Sequence, residues 1–271
     1  MARTWLITGS SRGFGLALAQ AVLKAGDNLV ATARDTTKLD LPGATLVPLD
    51  VTDPAAARAA VKLAVDTYGS LDVVVNNAGY ANSAPIEDMP DAEFRAQIET
   101  NLFGVVNVTK AALPVLRSQR SGHFIQFSSV GGRVGGTPGI SAYQTAKFGV
   151  EGFSEVLANE VAPFGVRVTI IEPGAFRTDW QGSSMDRAPV TPDYETTVGE
   201  MHRRREAMAG NEPGDPVRAA QIILDVVNHP NPPRRLLLGA AALDSAVTSG
   251  RSRIAEAEEW AEVTRSADFP T

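Results

Sequence analysis

A tyrosine and a lysine lie four positions apart in the stretch YQTAK, residues 143–147, and together these residue types can move a proton. Residues i and i+4 of a helix share one face, so the phenol of Tyr143 and the ammonium of Lys147 are predicted to be neighbours. An isolated tyrosine has a pKa of ~10. A nearby ammonium favours the phenolate, so Tyr143 is predicted to work as an acid or a base closer to neutral pH. The alternative is an ordinary contact on a helix surface.

A second stretch, TGSSRGFG at residues 8–15, has the residue types that hold a phosphate. Gly9, Gly13 and Gly15 stand where an apolar strand pattern gives way to a helical one. The N-terminus of a helix offers unpaired N–H groups, and glycines let a phosphate approach the backbone closely. The spacing Gly-x-x-x-Gly-x-Gly differs from the commoner Gly-x-Gly-x-x-Gly, and a tight strand-to-helix connection is the alternative. The flanking strand and helix favour a dinucleotide site.

Two arginines near this turn indicate which dinucleotide is bound. Arg12 lies within the turn, and Arg34 follows the second strand pattern, where an arginine accommodates the 2′-phosphate of NADP. Asp35 is the alternative, because a carboxylate at this place binds the ribose hydroxyls of NAD. Two guanidinium groups can share one phosphate, so NADP(H) is predicted ahead of NAD(H).

The elements that must position these residues alternate along the chain. Strands are predicted at 3–8, 28–33, 44–49, 72–76, 123–128, 166–171 and 234–238, and helices at about 13–25, 54–68, 91–119, 143–162, 192–209, 216–229 and 251–264. Apolar strands that alternate with helices predict an α/β fold, a doubly wound parallel sheet covered on both faces. Pro114 predicts a kink or break in its helix. Residues 1–271 are predicted to form a single domain.

Residues 175–214 form a long segment between two strand patterns and include three prolines. The segment follows the carboxyl end of a strand, where open α/β sheets bind ligands, so we expect a substrate lid. Its apolar residues predict a lipophilic substrate; they are Phe176, Trp180, Met185, Val190, Tyr194, Val198 and Met201. The stretch HRRRE at 202–206 is expected to be a solvated face, although His202 could reach a substrate if the lid closes.

Composition excludes several classes of function. Hydrophobic residues make up 44% of the 271 residues and charged residues 21%, which is typical of a globular protein with a buried core. A net charge of −6 argues against nucleic acid as a partner. The absence of cysteine and the scattering of the three histidines argue against a metal site. No apolar stretch reaches the roughly 18 residues of a membrane span. The N-terminus has no signal-peptide pattern, so a cytoplasmic location is expected.

Three stretches together resemble the short-chain dehydrogenase/reductase family: TGSSRGFG at 8–15, NNAG at 76–79 and YQTAK at 143–147. The resemblance extends over residues 3 to about 178 and includes the strand pattern at 234–239. The segment after residue 175 and the C-terminal helix look like the branch of bacterial relatives of hydroxysteroid and retinol dehydrogenases. The resemblance implies a Rossmann-type sheet of seven parallel strands, a nicotinamide cofactor and a catalytic tetrad. The tetrad residues would be Asn101, Ser129, Tyr143 and Lys147.

The resemblance also implies a role for each residue of the tetrad. Tyr143 is the acid, and Lys147 lowers its pKa and bonds the cofactor ribose. Ser129 bonds the carbonyl oxygen, and Asn101 holds a water that links Lys147 to solvent. The interval from Ser129 to Tyr143 is one residue longer than is common in the family. Ser128 is the alternative by position, but its side chain is expected to face the other way on the strand.

The resemblance places further residues against the cofactor. Asp50 and Val51 would contact the adenine, and residues 76–79 would form a wall beside the cofactor. Pro173, Gly174 and Thr178 would lie near the nicotinamide amide. The full set of expected cofactor contacts is Gly9, Ser11, Arg12, Gly13, Phe14, Gly15, Arg34, Asp50, Val51, Asn77, Ala78, Gly79, Tyr143, Lys147, Pro173, Gly174, Phe176 and Thr178.

The expected function is therefore an NADP-dependent oxidoreductase that interconverts a ketone or aldehyde and an alcohol on a small to medium lipophilic substrate. The alternatives are an NAD-preferring alcohol dehydrogenase, a non-catalytic NADP-binding redox sensor, and epimerase or dehydratase chemistry on the same scaffold. A homodimer or homotetramer, paired through helices 91–119 and 143–162, is also implied by the resemblance.

Overall fold

The computed structural model describes residues 2–180, 182 and 185–269. Seven strands of the described residues form one parallel sheet in the order β3-β2-β1-β4-β6-β7-β9, and two short strands, β5 and β8, pair separately. This arrangement is the predicted doubly wound sheet. The strands are β1 (Thr4–Ile7), β2 (Asn28–Ala33), β3 (Thr45–Pro48), β4 (Val73–Asn76), β5 (Ala81–Ser83), β6 (Gly122–Phe127), β7 (Val166–Pro173), β8 (Met185–Arg187) and β9 (Arg235–Leu238).

The helices connect these strands. They are α1 (Gly13–Lys24), α2 (Pro54–Tyr68), α3 (Asp91–Ile98), α4 (Gly104–Gln119), α5 (Val130–Arg133), α6 (Ser141–Val161), α7 (Glu200–Met208), α8 (Pro216–Asn228), α9 (Ala240–Glu259) and α10 (Ala261–Arg265). A π-helical turn, Glu99–Phe103, joins α3 to α4. Among the described residues, no helix combines the length and apolar character needed to cross a bilayer.

The sheet carries a hydrophobic layer on each face. Successive residues of β1 point to opposite sides, so Trp5 and Ile7 join the cluster beneath α1 and α8, and Leu6 joins the cluster beneath α2, α4 and α6. All three side chains are fully buried. Burial on both faces explains why the strands read as continuous apolar runs rather than as alternating ones.

The structure corrects the prediction of a break at Pro114. Helix α4 continues through this residue to Gln119. Pro114 and Lys110, whose carbonyl would otherwise accept the missing N–H, are both exposed, so water can bond that carbonyl. The predicted helix 91–119 is instead divided into α3 and α4 by the π-helical turn Glu99–Phe103.

Other elements also differ from the predicted ones. The C-terminal helix was placed at 251–264, but α9 begins at Ala240, directly after Gly239 ends β9 with φ 99°. The predicted helix 192–209 consists of a 3₁₀ turn, a π-helical turn and α7. Strands β5 and β8 were missed because each has three residues, which are too few to show the alternation of apolar and polar side chains typical of a strand.

Candidate active site

One cavity of about 420 Å³ lies along the carboxyl edge of the sheet. It extends from the turn between β1 and α1, past the ends of β4, β6 and β7, to residues of segment 175–214. Open α/β sheets bind ligands at this edge, where the strand order reverses. The cavity brings together every expected site residue except Gly15 and Asn101, which lie behind its wall.

The glycine turn is closed so tightly that its glycines cannot be replaced without a shift of the backbone. A Cβ on Gly15 would lie 2.2 Å from the carbonyl oxygen of Gly9 and 2.6 Å from Nδ2 of Asn77. Gly9 has φ +69° and Gly13 has φ +56°, and residues other than glycine rarely adopt backbone conformations with such positive φ values. Asn77 donates from Nδ2 to the carbonyl oxygen of Thr8 at 2.9 Å, which attaches the turn to the end of β4.

The N-terminus of α1 has the features of an anion site. Arg12 occupies the N-cap position without a side-chain cap hydrogen bond, and the first turn carries no acidic residue. The N–H groups of this turn are therefore available to a ligand, and the helix dipole favours a negative charge there. The cradle formed by the glycines and this helix end fits the pyrophosphate of a dinucleotide.

Beyond the turn, the cavity wall includes Arg12 and Arg34 but not Asp35. The Asp35 carboxylate accepts hydrogen bonds from Thr37 N at 3.1 Å and Thr37 Oγ1 at 2.6 Å, and these bonds lower its pKa. Asp35 thus caps the short helix Thr36–Lys38. This end of the cavity consequently presents two guanidinium groups, which suit a phosphate better than a bare ribose.

Asp50 and Val51, expected at the adenine, also line this end of the cavity. Asp50 Oδ1 accepts from Thr52 N at 2.9 Å and from Thr52 Oγ1 at 2.8 Å. The hydrogen bond from the Thr52 backbone is the main cause of the lowered pKa of Asp50. The charge of Arg34 also lowers the pKa of Asp50.

The chemical centre of the cavity is formed by Ser129, at the end of β6, and Tyr143, in the first turn of α6. Ser129 caps α5 by accepting from Gly131 N at 3.0 Å. Burial raises the pKa of Tyr143 to about 12, against the effect of a hydrogen bond with Ser129 that favours the phenolate. Ser128, the positional alternative, instead donates to the Ser129 backbone oxygen at 3.5 Å. Both serines line the cavity, and Ser129 is the one whose effect on the pKa of Tyr143 favours the phenolate.

Lys147 lies one turn after Tyr143, and its ammonium is buried. Nζ donates to the carbonyl oxygen of Phe127 at 2.7 Å and lies 5.6 Å from the centroid of the Tyr143 ring. Burial lowers the pKa of Lys147 to about 8, although the charge of Glu151 acts in the opposite direction.

The expected fall in the pKa of Tyr143 is not found in this structure. The ammonium of Lys147 bonds Phe127 rather than the phenol, and removal of Tyr143 from water dominates. The hydroxyl is therefore protonated at neutral pH, which is the form that donates a proton.

Asn101 lies in the π-helical turn and is fully buried. Its side-chain amide donates to the Tyr80 carbonyl at 2.8 Å and accepts from the Tyr80 N–H at 2.9 Å. Its Oδ1 would be 2.6 Å from a Cβ on Gly79. These contacts fix the wall of the cavity at residues 79–80.

The remaining expected cofactor contacts form the far wall. Pro173 ends β7, Gly174, Phe176 and Thr178 follow it, and all four line the cavity. The ring of Phe176 lies 4.9 Å from that of Phe14 in α1, and a Cβ on Gly13 would lie 3.5 Å from Cβ of Thr178. The glycine turn and the segment after β7 therefore face each other across the cavity.

The burial of two polar residues of α7 was not predicted. His202 and Arg205, expected on a solvated face, are 9% and 7% exposed, and Arg205 lines the cavity. Residues 181, 183 and 184 of this segment lie outside the described residues. The available signal was spacing, because Val198, His202 and Arg205 recur at intervals of four and three residues and so share a helix face.

Comparisons with known proteins agree with this geometry. The sequence profile described as short chain dehydrogenase matches residues 3–188. Over 271 aligned residues the chain is 47% identical to Oxidoreductase BOA17 of Botryotinia fuckeliana, with 97% of this chain and 98% of that protein covered.

Two solved structures have the same fold. A short-chain dehydrogenase from Streptomyces avermitilis is 38% identical with a TM-score of 0.92, and the match covers 99% of this chain and 100% of that one. An alcohol dehydrogenase from the archaeon Thermococcus sibiricus, complexed with 5-hydroxy-NADP, is 25% identical with a TM-score of 0.71, and the match covers 88% of this chain and 96% of that one. By sequence profile, relatives and fold, this chain is an oxidoreductase that belongs to the short-chain dehydrogenase family.

Proposed function

We propose that this protein is an NADP-dependent oxidoreductase that interconverts a ketone or aldehyde and an alcohol on a small to medium lipophilic substrate. The observation that carries the proposal is the set of residues that line the cavity at the carboxyl edge of the sheet. Its wall includes the glycine turn, Arg12 and Arg34 at one end and Ser129, Tyr143 and Lys147 at the other. A dinucleotide held by the first group extends toward the second.

NADPH, when bound, supplies the hydride for carbonyl reduction. The chain must then supply a proton and stabilise the charge that develops on the carbonyl oxygen. With a pKa of about 12, Tyr143 holds its proton at neutral pH and donates it to that oxygen. Ser129, which lines the same cavity as Tyr143, donates a second hydrogen bond to the same oxygen.

Lys147 sets the electrostatics of this proton transfer. Its ammonium is buried 5.6 Å from the centroid of the Tyr143 ring, in a region where a charge acts more strongly than in water. The positive charge stabilises the phenolate as the proton leaves Tyr143. We propose that Lys147 also binds the cofactor ribose, because Nζ lies next to Gly79 of the cavity wall.

The proposed preference for NADP rests on Arg12 in the glycine turn and on the residues that follow β2. Asp35, which would bind the ribose hydroxyls of NAD, is engaged with Thr37 and forms a 3.6 Å ion pair with Lys38. Arg12 and Arg34 line the cavity, where their guanidinium groups would bind a 2′-phosphate. The 5-hydroxy-NADP complex of the Thermococcus sibiricus relative supports this choice.

We propose that the substrate is lipophilic because the cavity wall around Tyr143 is largely apolar. Ile140 and Trp180 pack against the tyrosine, with the Trp180 ring 5.2 Å from the Tyr143 ring. Segment 175–214 contributes Trp180 and Met201 to the cavity and is proposed to be the lid over the substrate.

The proposal is tested by titrating NADPH while a panel of ketones and aldehydes is screened for NADPH oxidation. We expect saturable NADPH binding together with turnover of several lipophilic carbonyl compounds. Tight binding without turnover of any member of the panel would contradict the proposal and favour the redox sensor. The control is heat-denatured protein in the same assay.

The pH profile of that activity has a predicted direction. Lys147, with a pKa of about 8, loses its charge as the pH rises through that value, whereas Tyr143, at about 12, keeps its proton. The kcat/KM of carbonyl reduction is therefore expected to decrease above pH ~8 and to level off below it. A profile that rises across this range would contradict the role of Lys147. Stability measured at each pH separates this effect from unfolding.

A further inference from the structure

Helix α7 places a buried guanidinium in the wall of the cavity. Arg205 is 7% exposed and lines the cavity with Trp180 and Met201. Its Nη1 donates to Ser83 Oγ in β5 at 3.2 Å and lies 4.0 Å from Met185 Sδ in β8. The side chain thus extends from the proposed lid to the small sheet beneath it, next to the space proposed for the substrate.

Arg205 has no carboxylate partner among the residues that the structure describes. The two preceding arginines of α7 differ in this respect. Arg203 pairs with Glu195 and Arg204 with Glu200, and both arginines are exposed. The guanidinium that is removed from water is therefore the one without a counter-ion. An unpaired charge costs more free energy when buried than when exposed, so a counter-ion would stabilise this arginine most.

The surroundings of Arg205 favour an anion. Burial and the nearby charge of Arg187 lower the pKa of Arg205 to about 10, which still leaves it charged at neutral pH. Burial and the same two arginines lower the pKa of His202. With His202 neutral, Ser83 can donate to its Nε2 at 2.8 Å while accepting from Arg205, which holds the guanidinium in place.

We propose that Arg205 is a substrate-binding residue that receives a carboxylate at the end of the substrate remote from the reacting carbonyl. This inference rests on the proposed function and narrows its substrate class to oxo acids, with hydroxy acids in the reverse direction. The planar fork of a guanidinium matches a carboxylate, and the apolar wall at Ile140, Trp180 and Met201 suits the body of such a molecule. Binding of the carboxylate supplies the counter-ion that the fold does not.

The same contacts are compatible with a purely structural role, in which Arg205 attaches α7 to β5 and β8. The experiment must therefore compare substrates that differ only in charge. Aliphatic oxo acids of increasing chain length are each paired with their methyl esters, and kcat and KM are measured with saturating NADPH. The variants are Arg205→Met, Arg205→Lys and, as a matched exposed control in the same helix, Arg204→Met.

We expect the wild-type protein to prefer the acid over its ester by at least ~10-fold in kcat/KM, mainly through KM. Arg205→Met is expected to reduce this ratio to about one, Arg205→Lys to retain part of it, and Arg204→Met to keep it. A wild-type ratio near one overturns the inference while turnover of both substrates leaves the proposed function intact. Equal losses on acid and ester in Arg205→Met, with the ratio kept, show a structural role and also overturn it.

A binding measurement separates failure of the inference from failure of the proposed function. The tryptophan fluorescence of the NADPH complex is titrated with the oxo acid and with its ester, since Trp180 lies in the cavity wall. Acid binding that is lost in Arg205→Met supports the site even if no carbonyl compound is reduced. Failure of the acid to bind more tightly than the ester overturns it.

Discussion

Replacement of Tyr143 by phenylalanine is expected to lower kcat for carbonyl reduction by about three orders of magnitude and to change the Kd of NADPH by no more than a few-fold. The variant removes one hydroxyl, which is the proposed proton donor. Water cannot easily take its place, because the tyrosine is 8% exposed and packs against Ile140 and Trp180. The phenyl ring keeps those packing contacts, so the loss should fall on the chemical step.

The matched control is Tyr68→Phe in α2. This hydroxyl also makes one hydrogen bond, with Thr45 Oγ1 at 2.9 Å, but it lies outside the cavity. We expect its kcat to stay within a few-fold of that of the wild-type protein. If Tyr143→Phe retained most of its activity, the assignment of the proton donor would be wrong. Thermal unfolding of both variants shows whether the loss comes from the fold instead.

The double variant Arg12→Ala, Arg34→Ala is expected to remove the discrimination between NADPH and NADH. Each guanidinium can make charge-assisted hydrogen bonds to the 2′-phosphate, worth about 1.5–3 kcal/mol per bond. Two such residues account for a preference of at least ~100-fold in kcat/KM, which should decrease to nearly one in the variant. The decrease should come mainly from weaker use of NADPH, since NADH has no 2′-phosphate to lose contact with.

The exposed Arg58→Ala variant in α2 controls for the loss of a positive charge elsewhere. We expect its cofactor preference to equal that of the wild-type protein. A wild-type preference for NADH would contradict the assignment and transfer the main role to Asp35. In that case Asp35→Asn would lower kcat/KM for NADH, although this carboxylate accepts two hydrogen bonds from Thr37 in the structure.

Local sequence patterns predicted the parts of the fold that depend on neighbouring residues. Helix α2 was predicted at its observed bounds, 54–68, because Asp53 caps its first turn through Ala55 N at 2.7 Å and Gly69 ends it with φ 81°. Strand β2 was likewise predicted at 28–33, because its apolar run is buried on both faces of the sheet.

The features that sequence analysis missed depend on contacts between distant residues. The pKa of Tyr143 was expected to fall, but packing against Trp180 from segment 175–214 helps to bury the phenol and raise it. Arg205 was expected to be solvated, but its side chain is buried and donates a hydrogen bond to Ser83, 122 positions earlier in the chain. The spacing of Val198, His202 and Arg205 could indicate a shared helix face, but nothing in the sequence indicates that Ser83 or Trp180 is the partner in these contacts.

The proton-transfer geometry of Tyr143 and Ser129 beside a nicotinamide is the central claim. A crystal structure with NADP and a bound carbonyl compound tests it most directly. We expect both hydroxyls to lie within hydrogen-bond distance of the carbonyl oxygen, with the pyrophosphate against the N-terminus of α1. A Tyr143 side chain that points away from the nicotinamide, with the carbonyl oxygen held by other groups, would contradict it.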